Sequence, residues 1–127
     1  DPMNVKRLWW ANGLTAAGNV NCGLFDSAGT LLTRVGAGGV AQAGTSDIQI
    51  ADVTDVDLLP GNRYFMALVA DSGSTRLFTL GISQGAASEA CTYEHAANFA
   101  LGSITPAIPT ATTDVPFFGF TTSTTIP

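Results

Sequence analysis

The stretch Asn19–Leu32, NVNCGLFDSAGTLL, decides the fold. Its residues Val20, Cys22 and Leu24 alternate with polar or small residues, which is the period of a half-buried β-strand. Turn residues at 26–29 (DSAG) interrupt the alternation, and apolar residues then resume. A polar interval this short between two apolar runs predicts a β-hairpin.

Two residues of this hairpin favour a tight turn, each for a different reason. Gly29 is free to adopt a positive φ, and the carboxylate of Asp26 can accept hydrogen bonds from backbone amides within the turn. Two strands alone cannot bury their apolar side chains, so the hairpin requires further strands to pack against.

The rest of the chain supplies those strands. Five further stretches have strand composition and are separated by turn signals: Val5–Ala11, Asp47–Val53, Arg63–Ala70, Thr75–Ile82 and Pro116–Ser123. Only residues 83–98 have a plausible helical composition. We therefore expect an all-β, jelly-roll-like β-sandwich of about seven to eight antiparallel strands, folded as a single domain over residues 1–127.

Strand alternation also predicts which side chains lie in the core. In Val5–Ala11, Leu8 and Trp10 are assigned to the core, because the other face carries Arg7, the group most costly to bury unpaired. Trp9 then shares the outward face with Arg7.

Three more stretches carry core predictions. The isoleucines of Asp47–Val53 alternate with other residues, which predicts a strand with one wet face. Arg63–Ala70 is the most hydrophobic run and is predicted to be a central strand buried on both faces. Leu24, residues 64–68 and Phe78 are expected to form one buried layer between the sheets.

The composition narrows the classes of partner. Charged residues are only 12% of the 127 residues, the net charge is −5, and the five basic residues are scattered, so no nucleic-acid partner is expected. No apolar run approaches the roughly 18–20 residues of a membrane span, so no membrane partner is expected either. A surface of small polar residues is typical of extracellular or virion β-proteins, and it also suits a surface covered in an oligomer.

The two cysteines leave an alternative open. Cys22 is in phase with the apolar residues of its strand and is expected to be a small buried residue. A bridge between Cys22 and Cys91 is the alternative, which spacing in the sequence cannot decide.

No catalytic constellation is recognisable. His95 is the only histidine, and no G-x-S-x-G motif surrounds a serine. Glu89 and Glu94 fall in the same loop region, where solvated charge is the simpler interpretation than a carboxylate pair. We expect no catalytic residue and a protein that is not an enzyme.

The sequence also contains one weak candidate for a cation site. Asp52, Asp55 and Asp57 cluster before a Leu-Leu-Pro-Gly turn, but the glycine and the terminal glutamate of an EF-hand loop are absent. An ordinary acidic strand end is the favoured interpretation, so neither a metal nor a cofactor is expected.

Exposed aromatic side chains are the best candidates for binding. Trp9 beside Arg7 could stack on a sugar ring or on another protein, and tryptophan contributes strongly to interfaces. The competing interpretation is that the proline-rich segment of the same chain covers Trp9. Tyr93, close to His95 in the sequence, is a weaker binding candidate.

Three segments resemble a β-sandwich module of tailed-phage structural proteins: GNVNCGLFDSAGTLL (18–32), AQAGTSDIQIADVTDVDLLPGNRYFMALVAD (41–71) and PFFGF (116–120). The resemblance implies a non-enzymatic protein of the virion surface, outside the cell, that decorates the capsid or forms an adhesive tail tip. It further implies a homotrimer that contacts other virion proteins, with a host-surface glycan as a further candidate partner. A carbohydrate-binding module is the alternative function.

The low charge and positive mean hydropathy of +0.27 independently favour self-association. The subunit interface is expected around Arg7 and Trp9 and in the proline-rich segment Ile104–Pro116, whose prolines lack amide donors.

Overall fold

The computed structural model describes residues 2–72, 74–77, 79–81, 93–94, 99–102, 110–111, 114–116 and 118–122. The strands are β1 (Met3–Ala11), β2 (Asn19–Asp26), β3 (Leu31–Arg34), β4 (Val40–Ala41), β5 (Ile48–Leu58), β6 (Tyr64–Ala70), β7 (Thr79–Gly81), β8 (Tyr93–Glu94), β9 (Thr110–Ala111), β10 (Asp114–Pro116) and β11 (Phe118–Thr121). The described residues contain no helix, and hence none that could cross a membrane. The predicted all-β class is confirmed, with several two-residue strands beyond the seven or eight expected.

Two antiparallel sheets pack together as a sandwich. The first has the order β11-β1-β5. In the second, β2 pairs with β6 along one edge and with β3 and β4 along the other. Two shorter pairs, β7 with β10 and β8 with β9, complete the described pairing. The sandwich is as predicted, and its jelly-roll connectivity stays a prediction.

The predicted hairpin is formed by β2 and β3, and its turn has the expected chemistry. Gly29 has a φ of 85°. The Asp26 carboxylate accepts hydrogen bonds from the amides of Ala28 and Thr30, both at 2.9 Å. These bonds satisfy two donors that a tight turn would otherwise leave without partners.

The core lies between the two sheets. Leu8 and Trp10 are completely buried, as predicted from the cost of burying Arg7. They pack in one cluster with side chains from β1, β2 and β5: Val5, Val20, Cys22, Leu24, Val53 and Leu58. Phe118 and Phe120 flank this cluster from the neighbouring strand β11.

Strand β2 differs from the half-buried strand that its alternation predicted, because both of its faces are buried. The second face is covered by residues 99–102. Leu101 is completely buried, and its side chain lies close to Gly23. Asn21 is also buried and donates hydrogen bonds to the carbonyls of Gly36 and Phe99 at 2.6 and 2.9 Å.

Strand β5 is longer than predicted and presents its isoleucines outward. The strand continues to Leu58, and a register shift opposite Val5 and Arg7 accommodates its extra residues. Ile48 is 50% exposed, whereas Ala51 packs against the core. The alternation of isoleucines therefore does not mark the buried face of this strand.

Strand β6 is not the doubly buried central strand that its hydrophobicity predicted. All seven of its residues are half-buried, and within the described residues it pairs only with β2. Tyr64, Met66 and Leu68 do pack against the core, as expected of this layer. Phe78, the other member predicted for it, lies outside the described residues.

Cys22 is a free, completely buried thiol, as the interpretation of a small buried residue predicted. Burial raises the pKa of this thiol from 9.0 to about 12, since desolvation disfavours the thiolate. The thiol is therefore neutral at physiological pH and a poor nucleophile. Cys91 lies outside the described residues.

Candidate functional site

The outward side of the first sheet is the surface on which the sequence placed its binding candidates. We call this surface the outer face and define it by five residues that share one side of β1 and β5: Arg7, Trp9, Ile48, Ile50 and Asp52. The sheet register places Arg7 opposite Asp52, and Trp9 opposite Ile50. Arg7 and Trp9 therefore share a face as predicted.

Trp9 owes its position to a glycine on the adjacent strand. Gly119 of β11 lies directly opposite Trp9 in the register. A Cβ atom at Gly119 would lie 2.8–3.0 Å from the Cζ2, Cε2 and Nε1 atoms of the indole, closer than side chains tolerate. The indole thus rests on the β11 backbone in space that only glycine leaves open. Its remaining surface is partly exposed.

The charged pair beside Trp9 is loose. The Arg7 Nε atom lies 3.4 Å from Asp52 Oδ1, and this Nε is buried without a hydrogen-bond partner. Because the Asp52 side chain is 78% exposed, solvent screens its attraction to Arg7, and the ion pair contributes little to stability. The pair could nevertheless bind a ligand, because the guanidinium offers hydrogen-bond donors and the carboxylate offers acceptors beside the aromatic plane of Trp9.

The isoleucines of the outer face were not predicted to be there. Ile48 and Ile50 are separated by one residue on β5 and extend the apolar surface beside Trp9. The inward position of Gln49 explains their orientation. Its amide oxygen accepts hydrogen bonds from the Asn12 side chain and from the Ala43 amide, both at 2.9 Å.

Tyr93 belongs to a different part of the chain. It lies in β8 and pairs with Ala111 of β9, and no described strand pairing joins β8 to the first sheet. The structure brings Arg7 and Trp9 together, and the role of Tyr93 in binding stays a prediction.

The acidic cluster at 52–57 does not converge on a common point. Asp55 forms an ion pair with Lys6 at 2.6 Å, and Asp57 accepts a hydrogen bond from Asn4 at 2.8 Å. Each carboxylate thus has its own partner on β1. In the described part of the chain, no three acidic, histidine or cysteine side chains are grouped as metal ligands.

Of the residues considered for catalysis, only Cys22 and Glu94 are among the described residues. His95 and Glu89 fall outside the described residues, and Glu94 is in β8. Cys22, the only described thiol, is buried in the core between the sheets. The described residues therefore bring none of these groups to the outer face.

Comparison of the chain with protein families, with curated proteins and with solved structures finds no match. The outer face is therefore interpreted from its own residues: a tryptophan that packs on Gly119, two isoleucines, and the Arg7–Asp52 ion pair.

Proposed function

We propose that this chain is a non-enzymatic structural protein of a bacteriophage virion surface, which decorates the capsid or forms an adhesive tail tip. The sequence resemblance supplies the virion assignment. The all-β sandwich and the low charge agree with it. Self-association, as a homotrimer in the resembling family, is part of this proposal.

The observation that carries the binding role is the support of Trp9 by Gly119. A glycine inside a strand destabilises the strand, because it has no side chain to pack and loses more conformational entropy on folding than other residues. Here Gly119 leaves space for an indole that remains partly exposed. Tryptophan with arginine nearby is the composition enriched at sites that dominate binding energy. The outer face is therefore the contact surface that we assign to the virion protein.

The first test changes Trp9 in assembled particles. Phage carrying Trp9→Ala in this chain is expected to lose at least about tenfold in copies per particle or in host adsorption rate, because the aromatic contact is removed. Quantitative mass spectrometry measures the copies, and an adsorption assay measures the rate. Asp55→Ala, an exposed change on the same sheet, serves as the control. Unchanged copy number and adsorption in Trp9→Ala particles would refute the role of the outer face.

Gly119→Ala provides an independent version of the same test. The added methyl group displaces the indole without removing it. We expect Gly119→Ala to lower copy number or adsorption rate, as Trp9→Ala does. A thermal melt of the purified variant verifies that the fold persists.

The second candidate function is a carbohydrate-binding module. One observation favours it: the Arg7–Asp52 pair lies two residues along the strands from the Trp9–Ile50 pair, on the same face of the sheet. An aromatic plane with adjacent donors and acceptors can stack on a sugar ring while bonding its hydroxyl groups. Saturable binding of the purified chain to a glycan array, abolished by Trp9→Ala, would support this function. If the chain binds a glycan but is not found on phage particles, the carbohydrate-binding module is favoured over the virion protein.

A further inference from the structure

The second sheet has a buried patch on the side that faces away from the core. Phe25 is completely buried, yet it is not a member of the cluster between the sheets. Because side chains alternate along a strand, Phe25 shares the outward face of β2 with Asn21 and Gly23. Arg34 of β3 lies opposite Gly23 in the register and belongs to the same face. We call these four residues the β2 patch.

Residues 99–102, which we call the strap, lie on the β2 patch as a bound peptide would. Leu101 is completely buried, and its Cδ1 atom lies 3.3 Å from the place that a Cβ atom on Gly23 would occupy. The ring of Phe99 lies only 2.8 Å from the corresponding place on Gly39, in the loop between β3 and β4. Both apolar side chains of the strap therefore occupy space that a glycine leaves open.

The polar side chains of the patch bind the main chain of the strap. Nη1 of Arg34 donates to the Ala100 carbonyl at 2.7 Å and lies 3.5 Å from the carbonyl oxygen of Leu101. The Asn21 amide donates to the Phe99 carbonyl at 2.9 Å. The β2 patch therefore has the two properties of a peptide site: gaps for apolar side chains and donors for main-chain oxygens.

The strap leaves both polar side chains of the patch incompletely satisfied. Arg34 meets neutral carbonyls, and among the described residues no carboxylate pairs with it. The amide nitrogen of Asn21 donates to the carbonyls of Gly36 and Phe99, but its Oδ1 atom is buried without a hydrogen-bond partner. A carboxylate beside Arg34 and an N–H group beside Asn21 would therefore bind more favourably than the strap does.

Leu101 has a backbone conformation that an independent ligand could avoid. Its φ is 50°, in the left-handed region that residues other than glycine rarely adopt. The chain leaves the patch directly after it, since Gly102 is exposed. A peptide that ended at this position would have no following chain to direct outward and could adopt an ordinary φ. Its terminal carboxylate would then lie beside Arg34.

We propose that the β2 patch binds the carboxy-terminal end of a peptide whose last residue is apolar, and that the strap is an autoinhibitory segment occupying this site. The last side chain of the ligand takes the place of Leu101, its carboxylate pairs with Arg34, and a main-chain amide donates to Oδ1 of Asn21. The strap competes as a tethered ligand at high effective concentration. The site is on the opposite side of the sandwich from the outer face and is independent of the function proposed there.

The experiment compares two peptides on a variant whose site is vacated. Leu101→Gly removes the inserted side chain and suits the positive φ, which weakens the hold of the strap without straining the backbone. The first peptide is acetyl-Asn-Phe-Ala-Leu with a free carboxylate, the sequence of residues 98–101. The second is the same peptide with an amidated carboxy terminus. Isothermal titration calorimetry measures the dissociation constants, and a circular dichroism melt verifies folding.

We expect Leu101→Gly to bind the carboxylate peptide at least about tenfold more tightly than the wild type does, because the competing strap is weakened. This variant should also bind the carboxylate peptide about tenfold more tightly than the amidated one. Nonspecific attraction would give the opposite preference, since the chain has a net charge of −5. Adding Arg34→Gln to Leu101→Gly should abolish the preference, whereas Arg63→Gln, at an exposed arginine elsewhere, should preserve it.

Three results would overturn the inference. Equal affinity of Leu101→Gly for the two peptides, or a preference that survives Arg34→Gln, would show that Arg34 does not bind a carboxylate. A wild type that binds as tightly as Leu101→Gly would show that the strap is not inhibitory. If Leu101→Gly does not fold, the wild type is titrated with millimolar peptide while NMR follows the Leu101 methyl groups. Methyl signals that do not shift with the carboxylate peptide would then refute the site.

Discussion

Leu24→Ala is expected to lower the free energy of unfolding by roughly 2–5 kcal/mol, the range for leucine truncation in a packed core. Leu24 is 1% exposed and belongs to the cluster between the sheets. On either side in the second sheet it lies opposite Met66 and Thr33. Because neighbouring strands hold it in place on both edges, the site can collapse little around the missing atoms.

Urea denaturation of the purified chain measures this effect, with the slope of the transition compared between variants. Ile48→Ala is the matched control, because Ile48 is half exposed and its truncation should cost within about 0.5 kcal/mol. A loss below about 0.5 kcal/mol for Leu24→Ala would place Leu24 at the surface and contradict the register of β2.

Asn12→Ala is expected to destabilise the protein by roughly 2–4 kcal/mol, because it removes three hydrogen bonds that a completely buried side chain forms. Asn12 is completely buried. Its amide donates to the Ala43 carbonyl at 2.7 Å and to Gln49 at 2.9 Å, and it accepts from Gln42 at 3.0 Å. These bonds connect the loop that follows β1 with the loop between β4 and β5 and with Gln49 of β5.

Denaturant unfolding measures the loss, and hydrogen exchange at the Gly13 and Ala17 amides reports loosening of the loop between β1 and β2. Asn4→Ala is the matched control, since the Asn4 amide bonds only the exposed carboxylate of Asp57 in the described structure. Equal destabilisation by the two substitutions, with unchanged exchange in both, would show that the buried amide network does not support the loop.

Features set by neighbouring residues could be predicted from the sequence. The β2–β3 turn follows from the side chain of Asp26 and the freedom of Gly29, which act within five residues of each other. The inward positions of Leu8 and Trp10 follow from the cost of burying Arg7. Each of these predictions depends on a local rule that no distant residue overrides.

Burial of the second face of β2 could not be predicted in this way. It depends on Leu101, about eighty residues away in the chain, which lies beside Gly23. Asn21 has the appearance of a solvent-facing residue in the sequence, yet its amide bonds the Phe99 carbonyl. A polar residue that donates hydrogen bonds to a remote segment is indistinguishable, in the sequence alone, from one exposed to water.

The orientation of β5 was missed for the same physical reason. Gln49 is polar and was assigned no inward role, but its amide donates to the Ala41 carbonyl and accepts from two further groups. Because Gln49 faces inward, Ile48 and Ile50 face outward and join Trp9. The sequence therefore predicted the residues that β1 contributes to the outer face, Arg7 and Trp9. It did not predict the isoleucines that β5 contributes.

The central claim is that this chain is part of a phage particle, and particle composition tests it most directly. Particles are purified on a density gradient from a culture that carries the gene, and peptides of this chain are quantified against the major capsid protein. We predict that the chain sediments with intact particles at a fixed copy number. Its absence from particles, with the protein present in the surrounding lysate, would contradict the account.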